Sequence, residues 1–124
     1  MELDAGLKMR LRLLEQSGQV DGDVAEFMGA AVIELSTALD RPLTDADFGG
    51  LITHTALALQ RVRAGHAVTE WEVDHTEELA GYPRALGAAA AFVETAAEEL
   101  DLRLPVQEEQ FMALHLAAIE DEAA

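Results

Sequence analysis

Cysteine is absent from the 124 residues, which removes disulfides, thiolate nucleophiles and Cys-based zinc or iron–sulfur sites at once. Cations are scarce: eight Lys and Arg stand against 24 Asp and Glu, a formal charge of −16. A surface of that sign repels phosphate backbones, because nucleic-acid affinity rests on cations that neutralise phosphates. Direct DNA or RNA binding is therefore not expected. The longest apolar run, Ala88 to Val93, is far too short to span a bilayer, and the acidic start Met1-Glu2-Leu3-Asp4 has no charged-then-apolar leader pattern. A cytoplasmic protein with no membrane attachment is the expectation. Aromatic residues make up only 5%, prolines number three, and β-branched residues are sparse, so no segment alternates as a strand.

Ala, Leu and Glu dominate, and half of the chain is hydrophobic, a composition that favours helix and argues against wholesale disorder. The length fits one domain. The expected architecture is all-α, a single domain over 1–124 with its core at about 20–119 and an acidic tail at 120–124. A first helix is expected over about Ala5 to Ser17, with Leu7, Leu11 and Leu14 in register and Gly18 as its stop. Its cations Lys8, Arg10 and Arg12 read as a solvated face without function. A second helix spans about Asp23 to Leu39 on a stripe of Val24, Met28, Ala31, Leu35 and Ala38, with Asp21 or Asp23 as cap. Thr44 with Asp47 makes a capping-box variant, stapled by Leu43 and Phe48, for a third helix that reaches about Arg63. Gly49-Gly50 inside it marks close packing or a weakened first turn.

Residues 66 to 81 read as a loop holding a short helix at about Val73 to Leu79. Pro83 then opens a helix to about Leu100, whose buried face is expected at Leu86, Ala90, Val93, Ala97 and Leu100. After Leu104-Pro105 a last helix, apolar over more than half of its circumference, carries Phe111, Met112, Leu114, Leu116, Ala118 and Ile119.

Chemistry near neutral pH falls to four histidines, His54, His66, His75 and His115. His54 shares a helical face with Leu51, Ala58 and Arg61, and His115 shares one with Phe111 and Ala118. No HExxH or His-x3-His is present, nor a Glu-x-x-His pair on one expected helix, so no metal site is expected. The pairs Glu77-Glu78, Glu98-Glu99 and Glu108-Glu109 are adjacent and do not face a shared site. No phosphate loop, nucleophile elbow or dinucleotide fingerprint occurs. Neither an enzyme nor a cofactor is expected, and no catalytic residue is assigned.

The stretch Leu51-Ile52-Thr53-His54-Thr55-Ala56-Leu57-Ala58-Leu59-Gln60-Arg61-Val62-Arg63-Ala64-Gly65 resembles the first signature of the phosphotransferase-system regulation domain (PRD) family. Leu104-Pro105-Val106-Gln107-Glu108-Glu109-Gln110-Phe111-Met112-Ala113-Leu114-His115-Leu116 resembles its closing segment, and His115 follows His54 by 61 residues, the interval the family would give. Tyr82-Pro83 before an Ala-rich helix is similar to the segment between them. Thr53 stands where the family commonly has Asp, and Glu70-Trp71 where it often has Asn-Pro.

The resemblance implies a five-helix bundle that dimerises, with His54 and His115 as phosphoacceptors and Arg61 and Glu108 as their charge partners. It further implies a free-standing relative of the regulatory domains of transcriptional antiterminators and activators. Such a module would be modified by a phosphocarrier protein or a sugar-permease component of the phosphotransferase system. It would control transcription or carbohydrate metabolism through a protein partner. The alternatives are a constitutive dimeric adaptor with structural histidines, or, more remotely, a small metal-binding protein or enzyme using His54, His115 and Glu108.

Overall fold

Several helices begin or end where local chemistry satisfies their orphaned backbone groups. The computed structural model describes residues 3–67 and 74–122, and all of its regular structure is helical. Helix α1 (Ala5–Gln16) is capped by the Asp4 carboxylate, which accepts from the amides of Gly6 and Leu7. It buries Leu7, Leu11 and Leu14 and ends at Gly18, whose φ of +77° suits glycine.

Helix α2 (Gly22–Leu39) closes on Asp40 in the left-handed region. Asp21 occupies its N-cap position without capping it; the carboxylate accepts instead from Gln60 and Arg63 near the far end of α3. The buried face is broader than the expected stripe: it includes Phe27 and Val32, while Ala38 is exposed. Helix α3 (Asp45–Arg63) starts as its capping signal predicts, the Thr44 hydroxyl accepting from the Asp47 amide at 3.2 Å. Phe48 is fully buried.

The helix count is six among the described residues, not five, because the single turn α4 (Thr76–Leu79) adds a short element. The expected start of that element at Val73 lies outside the described residues, as does Glu70-Trp71. Helix α5 (Pro83–Leu100) has Pro in its first turn and stops on left-handed Asp101. Its buried face differs from the expected one. Ala85, Ala88, Ala89, Phe92, Val93 and Ala96 point inward, whereas Leu86 is 40% exposed and Ala90 faces solvent. Phe92 is the largest side chain on the helix, and its edge-to-face contact with Phe27, centroids 5.4 Å apart, fixes the rotation.

Helix α6 (Val106–Glu122) touches α2, α3, α4 and α5 and buries Met112, Ala113, Leu116, Ala117 and Ile119. The segment read as an acidic tail is helical through Glu122. There is a local reason. Glu120 reaches across to accept from the Ala85 amide at 2.9 Å, and Asp121 accepts from the Tyr82 hydroxyl at 3.1 Å. Two carboxylates of α6 thus serve the positive end of α5, where unsatisfied amides favour negative charge. Among the described residues, no helix is long and apolar enough to cross a membrane.

Two predictions follow from these contacts. Glu120→Ala strands the Ala85 amide and should lower unfolding stability by about 1 kcal/mol in urea titrations. Arg63 grips Asp21 and Asp23 together, at 2.9 and 2.8 Å, and the hydrogen bonds from Gln60 and Arg63 to Asp21, and from Arg63 to Asp23, hold both carboxyls below their ordinary range. Groups depressed in the folded state stabilise it above the unfolded-state pKa and lose that contribution as pH falls through the folded value. The urea midpoint should therefore drop as the pH falls below about 4, and Arg63→Ala should flatten that drop.

Candidate functional site

The buried set among the described residues contains one ionisable side chain, Glu108, 7% exposed. It lies in the first turn of α6, where the helix dipole favours a carboxylate. The dipole alone does not offset the loss of water around a buried charge; a partner is needed, and α3 supplies it. His54 Nε2 lies 2.9 Å from Glu108 Oε2 and 3.3 Å from Oε1. The imidazole stacks on Phe111 of the next α6 turn, with centroids 3.9 Å apart and planes at 24°. Ring and carboxylate are thus fixed by one helix face.

His115, on the same helix, packs against an earlier part of α3: its Nε2 lies 3.0 Å from the carbonyl oxygen of Asp47. Since His54 meets Glu108 and Phe111 while Asp47 meets His115, the two helices run antiparallel. Both histidines lie along this one interface, their contacts on α3 separated by about two turns, or about 10 Å of helix axis. A carbonyl oxygen only accepts, so Nε2 of His115 carries the hydrogen. The Glu108 carboxylate imposes the same tautomer on His54. Each ring then keeps its lone pair on Nδ1.

Arg61 is half-buried on α3 and does not reach Glu108, whose two oxygens face His54. Among the described residues it forms no ion pair. His75 meets Glu78 at 3.2 Å, and His66 is exposed beyond the end of α3; neither approaches the interface contacts. No group of three or more His, Asp or Glu among the described residues is placed to hold a metal ion.

A contact with no sequence signal of its own lies beside His54. Arg10, whose setting in the sequence predicts a solvated face, donates from Nε and Nη2 to the two oxygens of Asp45, both at 3.1 Å, and from Nη1 to Thr53 Oγ1 at 3.1 Å. Thr53 in turn donates to the Gly49 carbonyl. The hydrogen bond from Arg10 holds the Asp45 carboxyl below its ordinary range. Gly49 makes this approach possible, because a Cβ there would lie 2.7 Å from Arg10 Nη2 and from Asp45 Oδ1. The glycine pair had signalled close packing without naming the partner. An i, i+4, i+8 ladder of Asp45, Gly49 and Thr53 is its only trace.

The family model described as PRD domain matches residues 30–119, well over half of the chain. No curated protein and no solved structure matches it.

The tautomers can be read directly. With 15N-labelled histidine, above the pH at which the rings titrate, both His54 and His115 should give Nε2-protonated signals. Glu108→Ala should abolish that preference at His54 and leave His115 unchanged.

Proposed function

The chain belongs to the PRD domain family, and on that premise we propose that it is a regulatory module whose His54 and His115 accept phosphoryl groups from the sugar phosphotransferase system. One observation carries the reading: both histidines of the family signatures sit on the α3–α6 interface, each with Nε2 engaged and Nδ1 left as the nucleophile. The donor is a phosphocarrier protein or a sugar-permease component, and the setting is the cytoplasm. The output is a change in self-association, or in binding to a partner that controls transcription or carbohydrate metabolism.

The chemistry balances with the residues present. The Nδ1 lone pair of His54 forms a P–N bond as the donor's P–N bond breaks, its electron pair leaving with the donor nitrogen. The ring becomes cationic as it attacks, and the Nε2 proton already points at Glu108, whose carboxylate stabilises the imidazolium. Phosphoryl transfer asks for positioning and cationic charge more than for covalent help from the protein. Phe111 and Glu108 position the ring, and Arg61, two turns along α3, is a cation on its face that forms no ion pair among the described residues. Once formed, the phosphoryl group brings up to about two negative charges into a partly apolar interface. The α3–α6 packing must answer that charge, which is how a local modification would become a change of surface.

Labelling with phosphoenolpyruvate, the general phosphotransferase enzyme and phosphocarrier protein tests this, with detection at neutral or basic pH because phosphohistidine is acid-labile. Wild type should take up label, His54→Ala and His115→Ala should each take up less, and the double variant none. Label surviving in the double variant would assign the acceptor elsewhere. No label from any donor would instead favour the constitutive dimeric adaptor.

A further inference from the structure

Helix α1 precedes the matched span 30–119, yet it delivers a guanidinium to the turn of α3 that leads into His54. Three observations define the place. Arg10 lies over Gly49, so close that a Cβ there would be 2.7 Å from Nη2. The next residue, Gly50, faces open space: nothing lies within 4 Å of where its Cβ would be. His54 is four residues on, one turn further along the same helix, with its ring turned to Glu108 and Phe111 of α6. Gly49 thus admits the cation to α3, and Gly50 leaves open surface on the turn before His54.

Resting on the reading of His54 as a phosphoacceptor, we infer that Arg10 receives the phosphoryl group carried by His54, exchanging its Asp45 partner for it. The exchange is chemically favoured in one direction. Arg10 is held in a bidentate pair with a carboxylate that is 39% exposed, and a pair so exposed is weak. A phosphoryl group offers more charge and three acceptor oxygens to the same planar fork. Nη1 is already on Thr53, the residue before His54, so the guanidinium is tied to the turn that carries the phosphoacceptor. Arg61 approaches from the other side of His54, two turns toward the C-terminus of α3, and leaves this side to Arg10. The consequence is regulatory: α1 is tied to α3 through Asp45 in the unmodified protein and through the phosphohistidine in the modified one. Modification of α3 thereby changes how the first helix is held.

The test uses the full chain, phosphorylated by phosphocarrier protein and, in a parallel arm, by phosphoramidate. Two readouts are taken: the lifetime of label on His54 in a His115→Ala background, and the Arg10 Nε–H resonance before and after labelling. Arg10→Ala should shorten the lifetime about fivefold, the scale of one partly exposed charge-assisted contact. Asp45→Asn, which frees Arg10 from its carboxylate, should lengthen it. A merely structural role would move both variants the same way, since each breaks the same tie between α1 and α3. The Arg10 resonance should shift on labelling, and Arg63→Ala should leave the lifetime unchanged. Label on His54 with an unmoved Arg10 resonance and equal lifetimes in all variants overturns the inference alone. No label on His54 from either donor overturns it together with the assignment of His54 as acceptor.

Discussion

A buried carboxylate with one imidazole to answer it is the constraint around which α3 and α6 are arranged. Glu108 is the only ionisable side chain in the buried set of described residues, and a carboxylate left there unpaired would cost several kcal/mol. The His54 contact at 2.9 Å removes that cost only if α3 keeps its rotation and height against α6. The Phe111 stack fixes the plane of the ring, and the His115 contact with the Asp47 carbonyl holds the other end of the interface. A polar pair of this kind contributes little net stability compared with an apolar pair of the same size. What it contributes is register: sliding α3 by one turn would strand the carboxylate and the imidazole together.

The remaining polar ties act at helix ends. Arg63 fastens the start of α2 to the end of α3, and Glu120 and Asp121 fasten the end of α6 to the start of α5. Each places a charge where a helix dipole or an opposite charge favours it. In a chain of net charge −16 two of the few cations tie helices together through carboxylates: Arg10 holds Asp45 of α3, and Arg63 holds Asp21 and Asp23 at the start of α2.

Features encoded within four or five residues were readable in the sequence. The Thr44 cap, the Gly18 stop, Pro83 at the head of α5 and the Leu7-Leu11-Leu14 stripe all depend on neighbours in the chain. His54, His115 and Glu108 could be singled out because their spacing resembles a known pattern, although spacing alone did not pair Glu108 with His54 rather than with Arg61. Features set by distant contacts were not legible. The rotation of α5 follows from Phe92 meeting Phe27, 65 residues earlier. The helicity of Glu120 and Asp121 follows from amide and hydroxyl donors on another element, whereas their composition alone reads as a solvated end. Arg10 looked like surface charge because its partners, Asp45 and Thr53, are 35 and 43 residues away.

That distance has a temporal side. The contacts that build the site join residues 54 and 68 positions apart, and closing such loops must precede any stabilisation from the contact itself. Helices α1 to α3 can find one another while α6 is still unformed; the His54 ring has no Glu108 and no Phe111 until it arrives. The orientation of that imidazole is therefore a property of the finished bundle. An enzyme that acts on the oriented ring would meet it only in molecules that have completed folding, so the site carries its own check on the integrity of the chain.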